Sequence, residues 1–503
     1  MKLPRGSGIL MHITSLPGRH GIGDLGQGAY DFVDFLAAAG QKYWQFLPLG
    51  PVSRAFNHSP YTTLSAFAGN VMMVDLDQLV ERGLLEERDL SRRPEFPEYH
   101  VGFDMVYPFK KNLLKKAFQN FISAGKDKQY TSFCKKEQYW LDDYALFMAL
   151  RKQNNYKGWH EWPRGQRLRQ EKALAACRRE LAGQIEYYRF QQFCFHTQWR
   201  RLHAYAGKKK IHLVGDIPIY VGGDSADVWC HPGCFSLDVR THKPTHVAGV
   251  PPDYFSETGQ RWGNPLYRWK KKDGRPNDEL YEWWRHRFKV LFETVDICRI
   301  DHFRGFEAYW QIPAKEKTAI NGKWVKGPGR GFFKEMEATI GDLPIIAEDL
   351  GLITPEVEEL RDELGLPGMK VLQFAFDSDP DNAYLPHNFK TPNCVVYTGT
   401  HDNDTSLGWY MSDKGPEESK ASVRRYAHSD GHEIHWDFVR LALSSIADMA
   451  IIPMQDILGF GNDCRMNAPG TTKGNWRWRL APKFLSDEVR DRLRDETEFY
   501  GRK

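Results

Sequence analysis

The chain has 503 residues, of which 41% are hydrophobic and 27% are charged, and its net charge at pH 7 is +4. This composition is typical of a globular protein with a large core and excludes a disordered chain. The basic runs at residues 208–210 and 270–272 are short and form no continuous stripe, so we expect no nucleic-acid partner.

The eight cysteines are scattered along a chain that is too large to need disulfide bonds, so reduced thiols are expected. Cys230 and Cys234 flank the string HPG, but the second pair of ligands of a structural zinc site is missing, and we predict no metal. No apolar stretch is long enough to span a bilayer, which excludes a membrane-spanning protein. These features together indicate a cytoplasmic location.

Short apolar runs that end in polar or charged residues alternate with helical patterns, which is typical of a parallel sheet wrapped by helices. Eight such units indicate an α/β fold, a (β/α)₈ TIM barrel with large, mostly helical insertions. A doubly wound sheet is the alternative, although no glycine-rich phosphate motif follows the first run. The predicted strands begin at Gly8, Tyr43, Ile211, Asp296, Ile345, Lys370, Cys394 and Met449.

The connection between the second and third strands is too long for a crossover and contains helical patterns of its own. We therefore predict an inserted helical subdomain at residues 51–210, with a catalytic barrel formed by residues 1–50 and 211–503. The last helix of the insertion belongs either to the insertion or to the barrel. Residues 247–267 are rich in Gly, Pro and aromatic side chains, and this composition predicts a loop over the mouth of the barrel.

Four acidic residues lie at the ends of predicted strands, where the reactive groups of such barrels are found. One acid alone at such a place is more often a helix cap or an ion-pair partner. Four acids on one face favour either a metal site or the cleavage of a glycosidic bond. They are Asp216, Asp301, Glu348 and Asp402.

Arg299 precedes Asp301 by two positions, so on a strand both side chains point to the same face. The guanidinium then favours the ionised form of Asp301, as a nucleophile requires. Glu348 follows an apolar run, which predicts a raised pKa and suits a proton donor; Asp349 is the alternative, because the register is open. One ionised and one protonated carboxyl group favour glycoside cleavage over metal binding.

Six longer motifs follow one another between about Gly8 and Trp476. They are SPYTTLSAFAGN from Ser59, GDIPIYVGGDSADVW from Gly215, GVPPDYFSETGQRWGNPLY from Gly249, RIDHFRGFEAYW from Arg299, AEDLG from Ala347 and GTHDNDT from Gly399. Together they resemble the motifs of glycoside hydrolase family 77, the family of amylomaltase or disproportionating enzyme and a relative of the alpha-amylases.

This resemblance implies roles for particular side chains. Asp301 is the nucleophile, Glu348 the general acid and base, and Asp402 the carboxylate that orients sugar hydroxyls and stabilises the transition state. For His401 the alternative is a buried histidine bonded to backbone. The binding residues that the resemblance implies are Tyr61, Asp216, Arg299 and His401 around the transferred sugar, Tyr254, Phe255 and Trp262 in an aromatic lid over the acceptor side, and Asn467 and Trp476 in a late loop near the site.

The activity that the resemblance implies is the transfer of an alpha-1,4-glucan segment to the 4-hydroxyl of an acceptor, with retention and without a cofactor. Retention implies carboxyl groups about 5 to 5.5 Å apart. The implied partners are maltooligosaccharides and glucans derived from starch or glycogen, with glucose as an acceptor. Two alternatives remain: a hydrolase with the same carboxylates and a wetter acceptor side, and a noncatalytic glucan-binding protein, which the presence of all three carboxylates disfavours.

Overall fold

The computed structural model describes residues 4–252, 256–413 and 416–503 of the chain. The described residues form twelve strands: β1 (Gly6–Leu10), β2 (Tyr43–Gln45), β3 (His212–Pro218), β4 (His246–Val250), β5 (Gln260–Pro265), β6 (Ile297–Asp301), β7 (Ala308–Pro313), β8 (Lys323–Lys326), β9 (Ile345–Ala347), β10 (Gly368–Val371), β11 (Cys394–Tyr397) and β12 (Met449–Pro453).

Eighteen α-helices occur in the same ranges. They are α1 (Gln27–Ala38), α2 (Asp77–Glu81), α3 (Glu87–Leu90), α4 (Phe103–Ala124), α5 (Lys128–Lys136), α6 (Gln138–Gln153), α7 (Arg164–Arg167), α8 (Glu171–Glu180), α9 (Ala182–Lys208), α10 (Ala226–Cys230), α11 (Asp278–Phe292), α12 (Arg330–Ile340), α13 (Pro355–Glu363), α14 (Ser406–Met411), α15 (Glu417–Ala427), α16 (Ile434–Ser444), α17 (Met454–Ile457) and α18 (Asp487–Phe499).

Eight strands form one parallel sheet in the order β10, β11, β12, β1, β2, β3, β6, β9. The two end strands meet, because the amide of Ala347 donates to the carbonyl of Pro367 over 2.9 Å. Next to this bond, the carboxylate of Asp349 accepts from the amide of Met369 over 2.7 Å. The sheet is therefore a (β/α)₈ barrel, and the predicted fold and its eight strands are confirmed.

Both faces of the barrel strands are apolar, as expected for a parallel sheet enclosed by helices. In β11, the alternate residues Val395 and Tyr397 belong to the cluster that fills the barrel. Cys394 and Val396, on the other face, belong to the larger core that includes the surrounding helices. The period of two along each strand thus divides the apolar residues between the two layers.

Residues 51–210 contain the helices α2 to α9. The last of these, α9, packs directly on the barrel: the ring of Trp199 lies 5.3 Å from that of Phe46, which follows β2. Its indole N–H donates to the carbonyl of Thr294, three residues before β6, over 2.9 Å. We propose from these contacts that α9 is the barrel's own helix, and that the inserted subdomain ends before it.

A second, antiparallel sheet has the strand order β5, β4, β7, β8. Residues 247–267, which the composition indicates as a loop, thus contain most of β4 and all of β5. The side-chain amide of Asn264 donates to the carbonyl of Val221 over 2.9 Å, which joins β5 to the segment after β3. This sheet therefore stands beside the ends of the barrel strands β3 and β6.

The structure describes all eight cysteines, and each is a free thiol. Cys230 is held by a hydrogen bond from the guanidinium of Arg169, with 3.2 Å between the two heavy atoms. Among the described helices, none has the length and apolar character that crossing a membrane would require.

The chain's penultimate residue closes the amino-terminal end of the barrel. The guanidinium of Arg502 is buried and donates to the carbonyl oxygens of Leu443 and Ala442 and of Ser445 after α16. It also donates to the carbonyl of Gly6 at the start of β1, over 3.1 Å. One charged side chain thus satisfies backbone acceptors from both β1 and the helix that precedes β12.

We expect Arg502→Met to destabilise the protein by about 3 kcal/mol, because buried carbonyl oxygens lose a charged donor without gaining access to water. The measurement is the midpoint of thermal or urea unfolding. Lys503→Met is the matched control, since Lys503 is exposed and pairs with Glu498 at the surface. Equal midpoints for the two variants would contradict this account of the barrel end.

Candidate active site

The guanidinium of Arg299 joins two carboxylates at the ends of β3 and β6. The register pairs Asp216 with Arg299, which places the two side chains on neighbouring strands. Nη1 of Arg299 donates to both oxygens of Asp216, over 3.0 and 2.8 Å, and Nη2 donates to Asp301 over 3.0 Å. Burial opposes the charge of Arg299, but the two carboxylates outweigh it and raise the pKa of Arg299 well above its usual range. The guanidinium thus occupies the place that a metal ion bridging the two acids would need.

Three aromatic rings, those of Tyr61, His401 and Trp476, form a wall that contacts this ion network through Tyr61. The hydroxyl of Tyr61 donates to Asp216 over 2.7 Å, and its ring stacks on that of His401 with centroids 5.0 Å apart. Trp476 lies against both rings, at 5.8 and 6.0 Å. Three segments far apart in sequence therefore contribute rings to one aromatic wall, in which Tyr61 and His401 are within 11° of parallel and Trp476 is tilted from them by 46° and 38°. Such rings suit the apolar face of a sugar.

Asp402 is held by neighbours on both sides. One oxygen accepts from the amide group of Asn467 over 2.6 Å, and the other lies 3.3 Å from Nε2 of His401. Burial raises the pKa of Asp402, but the charge of His401 and the hydrogen bonds from His401 and Asn467 outweigh burial and lower it to about 2. Asp402 is therefore ionised at neutral pH, and the ring of His401 points at this carboxylate.

The pKa of Asp301 is shifted in the direction opposite to the one expected from Arg299 alone. The sequence predicts that Arg299 keeps this carboxyl ionised, and Arg299 does lower its pKa. Burial is the larger effect, however, and the charges of Asp216 and Asp402 add to it, so that the pKa of Asp301 is raised to about 6. At pH 7 the group is still mostly ionised, because the pH is about one unit above that value.

Glu348 follows β9 and is held through its carboxylate by two backbone amides. Oε2 accepts from the amide of His302 over 2.6 Å, and Oε1 accepts from the amide of Leu350 over 3.0 Å. Burial raises the pKa of Glu348 to about 7, with a contribution from the charge of Asp301, although Arg299 and the two amides oppose it. Glu348 can therefore carry a proton near neutral pH and release it.

The neighbouring acid, Asp349, points the other way and has a structural task. Its carboxylate pairs with Arg361 over 2.5 Å and accepts from the amide of Met369 on β10. A carboxylate engaged in joining β9 to β10 is not free to deliver a proton to a substrate. Of the two candidates left open by the sequence, the geometry favours Glu348 as the proton donor.

His302 is a residue that the sequence reasoning missed. Its backbone is left-handed, with φ of 56°, and this conformation aims its amide at Glu348. Its buried ring stands perpendicular to that of Trp262, with centroids 4.8 Å apart. The sequence carries no clear signal for this turn, because a left-handed backbone is uncommon at any residue other than Gly, even at His, which is among the enriched types.

The structure brings most of the predicted site residues into one constellation. Trp262 reaches it through His302, whereas Tyr254 and Phe255 lie outside the described residues. The residues that hydrogen bonds, ion pairs and ring contacts connect directly or through a neighbour are Tyr61, Asp216, Arg299, Asp301, Glu348, His401, Asp402, Asn467 and Trp476.

A group of possible metal ligands lies elsewhere, at His20, Asp24 and Asp75, all of them buried. The ammonium group of Lys110 is also buried there, 3.1 Å from the carboxylate of Asp24 and 2.7 Å from the carbonyl of Met72. A lysine therefore already supplies the positive charge that this group of acids requires.

Comparison with known proteins identifies the family of this chain. Residues 11–485 match the family model of glycoside hydrolase 77, described as 4-alpha-glucanotransferase. A 4-alpha-glucanotransferase of Synechocystis sp. is 49% identical over 99% of this chain and 98% of its own, and one of Thermus thermophilus is 48% identical over 99% of each. The solved structure of amylomaltase from Streptococcus agalactiae in complex with acarbose has a TM-score of 0.92 at 38% identity, with 99% of both chains covered.

Removal of the central guanidinium is expected to destabilise the protein by about 3 to 5 kcal/mol, because Arg299→Met leaves the buried charge of Asp216 unpaired. Arg299→Met combined with Asp216→Leu is expected to recover part of the loss. Unfolding midpoints measure both effects, with Arg490→Met, which breaks a surface pair with Asp487, as the control. A single variant as stable as this control would contradict the central place of Arg299.

Proposed function

Because the chain belongs to glycoside hydrolase family 77, the 4-alpha-glucanotransferases, we propose that it transfers a segment of an alpha-1,4-glucan to the 4-hydroxyl of an acceptor sugar. One observation carries the assignment of roles: three carboxyl groups at or after the ends of the barrel strands β6, β9 and β11 differ in their affinity for a proton. The pKa of Asp402 is about 2, that of Asp301 about 6 and that of Glu348 about 7. Glycosyl transfer with retention requires such a difference between nucleophile and acid.

In the first step, Asp301 attacks the anomeric carbon of the donor while Glu348 gives its proton to the oxygen of the leaving sugar. The glycosidic bond breaks, a bond between Asp301 and the anomeric carbon forms, and the leaving chain departs with the proton. The ionised Asp402 stabilises the positive charge that develops on the sugar ring. Arg299 bonds to Asp301 and holds the attacking oxygen in one direction.

In the second step, Glu348 is ionised and accepts the proton of the acceptor's 4-hydroxyl group. The acceptor oxygen attacks the anomeric carbon, and the bond to Asp301 breaks. The product has the original alpha configuration, since two inversions restore it. Water that reaches the intermediate first gives hydrolysis instead, so the transfer outcome depends on how the acceptor side is built.

The donor side is formed by the residues around Asp402. The stacked rings of Tyr61 and His401 offer a flat surface to the transferred glucose, and Asn467 holds the carboxylate that faces its hydroxyl groups. The acceptor side follows from the chemistry: the group that protonates the leaving oxygen stands next to the leaving sugar. Trp262 contacts His302, which binds Glu348, so we assign Trp262 to the acceptor side.

The lid that the sequence predicts includes Tyr254 and Phe255 beside Trp262, and we retain all three as acceptor-side residues. Alpha-glucans are the substrate class of the family, and we propose maltooligosaccharides and glucans derived from starch or glycogen as donors, with glucose among the acceptors. The eight free thiols support a reducing compartment, and we propose the cytoplasm as the place of action.

The test is incubation of the purified protein with maltotriose, without added metal or nucleotide. We expect free glucose and a ladder of oligosaccharides longer than maltotriose, with a constant number of reducing ends, because each bond that is broken is formed again. Chromatography follows the ladder, and a reducing-end assay follows hydrolysis. Asp301→Asn is expected to abolish both products, since the variant lacks the nucleophile.

Other outcomes would point to the two alternatives. A rise in reducing ends without longer products would identify a hydrolase and overturn the proposed transfer. Unchanged maltotriose would favour a glucan-binding protein without catalysis. Product formation that persists in Asp301→Asn would show that Asp301 is not the nucleophile.

The pH dependence of kcat/KM is expected to be a narrow bell with its maximum between about pH 6 and 7. As the pH increases, activity rises around pH 6, because Asp301 must lose its proton to attack. It falls around pH 7, because Glu348 must keep its proton to release the leaving group. Initial rates at low maltotriose across this range provide the measurement. Activity that still increases above about pH 8 would contradict the role of Glu348 as the acid.

Glu348→Gln provides the control for the falling limb. The variant is assayed with a donor that has a good leaving group and needs no proton. It is expected to keep the rising limb of the pH profile near pH 6 and to lose the falling limb, because glutamine does not titrate. Persistence of the falling limb in this variant would assign it to another group.

A further inference from the structure

His302 connects two parts of the site that belong to different sheets. It follows Asp301 at the end of β6 in the barrel, and its ring contacts Trp262 on β5 of the antiparallel sheet. Its amide holds Glu348 after β9. The residue therefore touches both the proton donor and the acceptor-side wall, although the sequence motifs give it no task.

The backbone contact depends on an uncommon conformation. A left-handed backbone is uncommon at a residue other than Gly, although His is among the types enriched there, and here φ is 56° and ψ is 47°. In this conformation the amide lies 2.6 Å from Oε2 of Glu348, and the amide of Phe303 donates to the carbonyl of Glu348 over 3.1 Å. The turn thus fixes both the side chain and the backbone of Glu348.

The side-chain contact depends on a neutral ring. His302 is 8% exposed, and burial and the charge of Arg304 lower its pKa to about 3, so the imidazole carries no charge near neutral pH. Its ring is perpendicular to that of Trp262 and also faces Tyr220, with centroids 6.4 Å apart. Nε2 is buried and finds no hydrogen-bond partner in the described part of the chain, so apolar ring packing is its main interaction.

We propose that His302 is a positioning residue that favours transfer over hydrolysis by holding Glu348 and Trp262 at a constant separation. This inference rests on the proposed function. The acceptor must bind against Trp262 while Glu348 removes its proton, so both groups must keep their places relative to one sugar. Water needs Glu348 but does not need the aromatic wall. Loss of the ring therefore harms the sugar acceptor more than it harms water.

The experiment separates the ring from the backbone. His302→Gly and His302→Asn remove the ring but tolerate the left-handed conformation, so the amide still reaches Glu348. We expect the ratio of transfer to hydrolysis on maltotriose to fall about tenfold in both variants, while the rate of donor cleavage changes less. The ratio is taken within each reaction, so the fraction of folded enzyme does not affect it.

His428→Gly is the matched control, because His428 is also a left-handed histidine, with φ of 53°, at the carboxyl end of α15. It is expected to leave the ratio unchanged. Trp262→Ala is expected to lower the ratio as the ring-deleting variants do, and the double variant with His302→Gly is expected to add little, because the two rings act as one unit.

A variant that disturbs the backbone tests the other contact. His302→Val disfavours the left-handed turn, and loss of the amide donor is expected to move the falling limb of the pH profile to higher pH, since this hydrogen bond favours the ionised form of Glu348. His302→Gly is expected to leave that limb in place. The position of this limb does not depend on the amount of folded enzyme.

Two results would overturn the inference while the proposed function stands, provided that the wild-type protein makes the ladder. The first is a His302→Gly variant whose ratio of transfer to hydrolysis is unchanged. The second is a His302→Gly variant that loses donor cleavage as completely as it loses transfer. A double variant whose losses add fully would also overturn it. Failure of the wild-type protein itself to make longer products would instead overturn the proposed function.

Discussion

The buried guanidinium of Arg299 is the interaction on which the site depends. It neutralises the buried Asp216, which could not remain charged at low cost without it, and it also bonds to the partly exposed Asp301. Because Tyr61 donates to Asp216, the same guanidinium also locates the stacked wall of Tyr61 and His401. The register between β3 and β6 is thus a chemical requirement as well as a structural one.

Two adjacent residues, Glu348 and Asp349, serve the proposed active site and the closure of the barrel respectively. After β9, Glu348 turns to the site while Asp349 joins β10 through the amide of Met369. Because neighbouring side chains on an extended backbone point in opposite directions, one strand end can serve both purposes. The same arrangement holds at the end of β6, where Asp301 bonds to Arg299 and the amide of the next residue, His302, binds Glu348. The proposed nucleophile and the proposed acid, which come from two strands, are therefore held through one short turn.

Membership of family 77 and the charge states of the three carboxyl groups agree on the chemistry. Transfer requires in addition that a sugar competes with water for the same intermediate, and the proposed acceptor side places this competition beside Glu348. The antiparallel sheet supplies that region, because β5 carries Trp262 against the ring of His302. In the proposed function, the barrel thus provides the bond-breaking groups and the added sheet provides a surface for the acceptor.

The sequence by itself determined the eight strands, the acids at their ends and the family motifs, because apolar periodicity and strand-end polarity are local patterns. Only the tertiary structure placed Glu348 and Asp349 in different hydrogen-bond networks, revealed strands within residues 247–267, and showed the left-handed turn at His302. It also reversed the expected shift of Asp301, whose pKa is raised to about 6 despite Arg299. A pKa depends on burial and on charges that lie far apart in sequence, and strand register depends on partners across the barrel, so neither can be obtained from local sequence.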